Sequence, residues 1–247
     1  MYRVGVDLGG TNIRSGVVDD NYRIIGVGEL KTNAPRPAEE IFDDITKTVH
    51  MAVEAAGLTM EDIASVGVGT PGTVNKATGV IEFSNNLDFQ NVPAQQMLGE
   101  RIGKPVYLEN DANCAAFGEA KAGAGAGVKD FIAITLGTGV GSGIIVNGRI
   151  LNGANFAAGE MGHMVIVVDG EQCNCGRRGC WSVMPPQRRS SPRQKMKCAT
   201  RRIVKCGIWW IITLTRSTGG RPLTLCARAT PRQSAWWIAI FTTLPAA

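Results

Sequence analysis

The chain has 247 residues, 44% of them hydrophobic, a length that accommodates one large domain or two lobes around a cleft. No run approaches the ~18–20 consecutive apolar residues that a membrane-spanning helix requires, which excludes that class. The formal charge of +5 conceals two opposed parts: residues 182–247 carry twelve Lys and Arg and no acid, leaving 14 basic against 21 acidic groups, a net of −7, for residues 1–181.

Tyr2 to Leu30 reads as a three-strand meander: alternating Val4, Val6 and Leu8, a turn at Gly9-Gly10-Thr11, then Ser15 to Asp19 and Ile24 to Leu30. A strand starting at Tyr2 leaves no room for a cleavable leader, so a cytoplasmic address is expected. Ala38 to Ala56 spaces Ile41, Ile45, Val49 and Val53 four residues apart, with acids early and Gly57 beyond the end, the pattern of an amphipathic helix. Ala64 to Gly69 returns to strand, Pro93 to Ile102 is a helix with proline at its first turn, Pro105 to Glu109 a strand, and Ala112 to Ala122 a helix. At Phe131 the opening pattern returns as a strand to Leu136, a turn at Gly137-Thr138-Gly139, and a strand from Ser142 to Ile150. Ile132-Ala-Ile-Thr-Leu-Gly repeats Val4-Gly-Val-Asp-Leu-Gly, which points to an internal duplication. A small N-terminal lobe over residues 1–107 and the start of a large lobe over 108–181 are expected, each with a phosphate-facing hairpin.

Asp7-Leu8-Gly9-Gly10-Thr11-Asn12 ends a buried strand in residues with little side chain, so successive backbone N–H groups can face phosphate oxygens. Thr11 adds a hydroxyl, and Asp7 is suited to orient hydrated Mg²⁺. Gly137, Thr138, Gly139 and Gly141 offer a second cradle of the same kind. One such turn alone reads as an ordinary hairpin; two on equivalent strands favour nucleotide. No Gly-x-x-x-x-Gly-Lys-Ser/Thr sequence occurs. Gly67-Val-Gly69-Thr-Pro-Gly72 fits a dinucleotide fingerprint literally, but Pro71 and turn residues stand where the helix should begin.

In order along the chain, Asp7-Leu-Gly-Gly-Thr-Asn, Gly69-Thr-Pro-Gly72, Glu109-Asn-Asp-Ala-Asn113, Leu136-Gly-Thr-Gly-Val-Gly-Ser-Gly143 and Gly159-Glu-Met-Gly-His163 resemble the successive signatures of the ROK family of sugar kinases and regulators, over about residues 2–181. The resemblance is to its bacterial glucokinases. It implies an α/β, actin-like and hexokinase-like (ribonuclease H-like) two-lobe fold, with ATP, Mg²⁺ and a hexose, glucose favoured, as ligands. Dimers or tetramers are the family's usual assemblies. A regulator of this family would carry a DNA-binding module ahead of the first phosphate loop, whereas here a strand is expected from residue 2.

Phosphoryl transfer needs a base for the acceptor hydroxyl and neutralised phosphate charge. Asp111 lies where a strand meets a helix; local sequence fits a helix cap and a base equally, and the resemblance implies the base. Asn110 resembles the family's sugar ligand, with Glu160 and His163 as further polar partners and Gly72 approaching through its backbone. Asn85, in Asn85-Asn86-Leu87, resembles the sugar loop with its register open to a shift, or is a plain turn residue.

His163, Cys173, Cys175 and Cys180 form His-x9-Cys-x-Cys-x4-Cys, three thiolates and an imidazole that close a tetrahedral Zn²⁺ shell, a structural rather than catalytic site. Reduced, solvent-facing cysteines are the alternative. Seven cysteines, an odd count without a leader, otherwise read as free thiols. His50 belongs to the amphipathic helix.

Family members continue after Cys-Trp with a sugar-binding glutamate; here Ser182 follows. An acid-free run of 66 residues has odds on the order of one in several thousand at ordinary usage. Ile208 to Ile212 and Ala235 to Phe241 are isolated apolar islands. A reading-frame change near codon 182 is therefore expected, giving an aberrant basic tail over 182–247, an incomplete second lobe with an unpaired sheet edge, and impaired or absent activity. The alternatives are a sugar-binding remnant and a tail that grips nucleic acid or membrane; the tail lacks a nucleic-acid motif, so neither partner is expected.

Overall fold

The structure, a computed structural model, describes residues 1–136, 139–184, 209–215 and 224–230. The chain divides after Gly118 into two compact units.

In the first unit, β1 (Tyr2–Leu8), β2 (Asn12–Val18) and β3 (Ile24–Lys31) form the expected antiparallel meander, and β4 (Ile63–Thr70) and β8 (Val106–Asn110) add parallel to β1, in the order β3-β2-β1-β4-β8. Buried Val4, Val6, Leu8, Val66, Val68 and Leu108 bring the apolar run of each strand into one core. Helix α1 (Ala38–Ala55) buries the four residues picked out by spacing, together with Phe42, Thr48 and Ala52. Each large apolar side chain buried this way contributes about 1.5–3 kcal/mol. His50 lies on the exposed side of this helix. The helix sits hard on β3: a Cβ at Gly26 would come 2.2 Å from Ala52 O, and one at Gly28 2.3 Å from Thr48 O. Helix α2 (Ala94–Ile102) follows Pro93, which takes the cap position just ahead of it, and Gly103 ends it at φ 69°.

Between β4 and α2 the chain makes a small antiparallel sheet, β5 (Thr73–Asn75), β6 (Val80–Ser84) and β7 (Phe89–Val92), where sequence periodicity indicated only turns. Strands of three to five residues are too short to register a period. The sequence-based division at 107/108 would cut β8, which the first sheet takes whole as its edge, with α3 (Asp111–Ala122) following directly.

In the second unit β9 (Phe131–Leu136), β10 (Val140–Val146) and β11 (Arg149–Ile150) repeat the meander. The single strand expected over Ser142 to Ile150 is broken by Asn147 (φ 52°) and Gly148 (φ 74°), a two-residue left-handed hairpin turn. Beyond residue 182, where no useful strand was expected, β12 (Trp209–Thr215) and β13 (Thr224–Thr230) complete the order β11-β10-β9-β12-β13. The edge of β9 expected to be bare is paired: backbone hydrogen bonding accepts an apolar island regardless of its origin. The polarity differs between the units, however. β4 is parallel to β1, while β12 is antiparallel to β9. The island Ala235 to Phe241 lies outside the described residues, among which no helix is long and apolar enough to cross a membrane.

Candidate functional site

Parallel strands end side by side, and register places Asp7 of β1, Gly69 of β4 and Glu109 of β8 abreast at those carboxyl ends, where open α/β sheets bind ligands. Gly69 has a steric reason: a Cβ there would lie 3.1 Å from Cys114 Sγ and 3.7 Å from Asp111 Cα, so its absence lets α3 start against β4.

The glycine turn after β1 is tight, closed by Gly9 N–H donating to Asn12 O at 2.9 Å. Thr32, fully buried, pins it twice: its hydroxyl donates to Gly9 O at 2.6 Å and its N–H to Thr11 O at 2.9 Å. Asn12 accepts from Lys31 Nζ at 2.8 Å, while Gly10 and Thr11 remain exposed. Burial, reinforced by the Asp111 carboxylate and opposed by Arg14 across the strand pair, pushes Asp7 from 3.8 up to about 6. A raised carboxyl pKa penalises the folded state fully above about 6 and not at all below 3.8. Asp7→Asn is therefore expected to stabilise the unliganded protein at pH 8 by about 1–3 kcal/mol. Urea unfolding at pH 8 and at pH 4.5 checks this, because the gain must shrink at the lower pH; an equal gain at both would rule out the carboxylate as its origin.

At the β8–α3 junction Asn110 Oδ1 accepts from the N–H groups of Ala112 (3.0 Å) and Asn113 (3.2 Å), the N-cap of α3, and its Nδ2 donates to Gly72 O at 3.0 Å. The capping role open to Asp111 on sequence is thus taken by its neighbour. Asp111 occupies the first helical position with one carboxylate oxygen accepting from Ala112 N–H at 2.8 Å. Its side chain reaches solvent, yet protein crowds it closely enough that desolvation raises its pKa, against the lowering effect of the backbone N–H groups of Ala112 and of Asp111 itself. Buried Glu109 accepts from Asn110 N–H (3.0 Å) and Asn113 Nδ2 (3.1 Å) and pairs with Lys76. Gly72 has φ 102°. Asn85 and Asn86 are both exposed, but it is Asn86 whose Cβ lies 3.9 Å from where a Cβ on Gly10 would stand, with Leu87 beside it fully buried.

In the second unit Gly137 and Thr138 lie outside the described residues. Gly139 sits near Ser182, whose hydroxyl bridges the backbone N–H and carbonyl of Val140 at 3.1 and 3.2 Å; Gly141 pairs with Thr135 in the hairpin. Ser142 joins two of the sequence signatures: its hydroxyl donates to Gly159 O and accepts from Met161 N–H at 3.1 Å. Gly162 is needed there, since a Cβ would stand 1.9 Å from Val140 O.

The ligand atoms of His163, Cys173, Cys175 and Cys180 all lie within 4.8 Å of one another. Tetrahedral Zn²⁺ with bonds of ~2.3 Å to sulfur sets neighbouring ligands about 3.7 Å apart. Cys173 Sγ lies 3.5 Å from His163 Nδ1, and Cys175 Sγ 3.6 Å from Cys180 Sγ, so the four residues fit such an ion. The Arg177 N–H brings Cys175 down to about 6, while burial takes Cys180 up to about 11. With Nδ1 turned to the thiols, His163 Nε2 stands 4.0 Å from Glu160 Oε2. Sequence reasoning did not single out Thr32 or Lys76; Glu109 heads one of the signatures, and Asn86 lies in the Asn-Asn-Leu stretch whose register it left open.

Residues 3–188 match the profile of the ROK family. The chain is 43% identical to the glucokinase of Streptomyces coelicolor over 72% of its own length and 54% of that protein's. It is 30% identical to the xylose repressor of Bacillus subtilis over 74% of its length and 47% of that protein's. A ROK family glucokinase from Streptomyces griseus, solved in complex with glucose and AMPPNP, superposes with a TM-score of 0.67 at 42% identity, covering 74% of this chain and 56% of that one. The chain spans about half the length of the curated relatives it matches. With its signatures in order and its strand ends arranged as they are, the chain belongs to the ROK family.

Proposed function

We propose that the chain is built as a cytoplasmic, glycolytic sugar kinase that transfers the γ-phosphoryl group of ATP to the 6-hydroxyl of glucose, with turnover impaired by its altered C-terminal part. The observation that carries the reading is the convergence at the ends of β1, β4 and β8: a glycine-lined loop beside Asp7, and Asp111 presented by a helix that Asn110 caps. Backbone N–H groups of residues 9–12 hold phosphate, and Asp7 is the carboxylate suited to orient the water shell of nucleotide-bound Mg²⁺. Asp111 takes the proton of the attacking hydroxyl, and its raised pKa makes it a better proton acceptor. Asn110 and Asn86 hold sugar hydroxyls, with Glu160 and His163 as the further partners the family resemblance supplies. His163, Cys173, Cys175 and Cys180 would hold a structural Zn²⁺, and His163, with Nδ1 turned to the thiols, would then carry its proton on Nε2.

Impairment is supported by strand polarity. In the first unit β4 and β1 both end at the ligand edge, whereas antiparallel β12 begins beside Thr135 and runs away from the second turn. Among the described residues of the second unit, no strand runs parallel to β9 to end there with a residue like Gly69. The purified chain tests the binding half of the proposal. Metal analysis is expected to find one Zn²⁺ per chain, and calorimetry a glucose affinity that Asn110→Ala lowers at least about tenfold. A metal-free chain that gives no heat with glucose would overturn it.

A further inference from the structure

On that reading of the first unit, Glu109 is buried without a direct part in the chemistry. Glu109 is 2% exposed and directly precedes Asn110 and Asp111. One of its oxygens takes two donors, Asn110 N–H and Asn113 Nδ2, and the other faces Lys76 Nζ. A carboxylate so deeply enclosed requires a compensating charge, and removing one member of such a pair leaves the other stranded. Lys76 comes from the turn between β5 and β6, itself held by Asn75: Oδ1 accepts from the N–H groups of Ala77 (3.1 Å) and Thr78 (3.3 Å), and Nδ2 donates to Glu82 at 2.9 Å. The same excursion supplies Gly72 O to Asn110 Nδ2. The small sheet is thus fastened to the β8–α3 junction at two points, one of them ionic.

We propose that Lys76 is a positioning residue for Asn110 and Asp111: by pairing with Glu109 it fixes the carboxylate that holds the Asn110 backbone and Asn113, and so sets the direction in which the base and its neighbour project. In this scheme Lys76 acts on Asn110 and Asp111 through its pairing with Glu109.

Native-state amide hydrogen exchange on the full chain tests this without requiring turnover. In Lys76→Met the amides of Asn110, Ala112 and Asn113 are expected to exchange at least about tenfold faster, while those of β2 and α1 are unchanged. Lys76→Arg, which keeps the charge, should restore protection. The double variant Lys76→Met with Glu109→Gln removes charge and partner together and retains an acceptor for both donors, so it should return to within about threefold of the unaltered chain. Uniformly faster exchange across the first unit, unchanged exchange at the junction, or a double variant no better than Lys76→Met would each overturn the proposal. Glucose affinity measured on the same proteins is a separate readout: an unaltered chain that binds no sugar counts against the kinase reading, whereas the exchange pattern decides the role of Lys76.

Discussion

Incubated with glucose and ATP, the 247-residue chain is expected to release no ADP above background. Exchanging the segment after Trp181 for the corresponding part of the Streptomyces coelicolor relative is expected to restore phosphorylation. Phosphoryl transfer is accelerated almost wholly by positioning and electrostatic stabilisation, so an incomplete constellation gives little of the rate. The first unit has parallel strand ends, whereas in the second β12 runs reversed beside β9. In the restored enzyme Asp111→Asn should then lower kcat by about 10²–10⁴-fold, the range for removal of a general base, with glucose affinity changed less than about threefold. A coupled ADP-release assay and calorimetry on the same preparations check both halves. Robust turnover by the unexchanged chain would defeat the impairment argument, and wild-type kcat in the Asp111→Asn enzyme would remove Asp111 from its role.

The second large effect is expected at Gly72. Its φ of 102° is strained for any other residue, and a Cβ would lie 2.1 Å from Phe83 O and 2.9 Å from Ser84 Cα, backbone atoms that cannot swing aside. Gly72→Ala should cost about 3 kcal/mol or more, combining backbone strain with overpacking. It should also weaken glucose binding at least about tenfold, because Gly72 O is the acceptor that orients Asn110 Nδ2. Gly103→Ala is the control: φ there is 69° but no atom lies within 4 Å of the added carbon, so only the left-handed backbone cost of about 1 kcal/mol is expected. Equal losses in the two variants, measured by urea unfolding, would mean that the contact with β6 does not matter.

The elements that sequence reasoning located are those whose pattern is local. Ile41, Ile45, Val49 and Val53 declare α1 because one turn of helix separates them, and the glycine turns declare the two meanders because each ends an apolar strand. The β5–β7 sheet stayed hidden because its strands are shorter than any usable period, and the break at Asn147-Gly148 because apolar residues resume immediately after it. The polarity of β12 is illegible in principle from one strand, since it is a property of the pair. At the site, Asp7, Asn110 and Asp111 carried recognisable motifs. The pairing of Glu109 with Lys76 was not legible, because it depends on the path of the 32 residues between them rather than on either neighbourhood. Thr32 is hidden for the same reason: its partners are Gly9 and Thr11, across the meander.

Asn110 carries the helix cap, accepting from two N–H groups, while Asp111 shares only that of Ala112. The cap and the proposed base are therefore encoded by adjacent but separate codons. Because the carboxyl group of Asp111 is disfavoured in its charged form by its surroundings, an amide in its place leaves the scaffold no worse off. A single substitution at position 111 can therefore remove the carboxylate while the Asn110 cap keeps the junction folded.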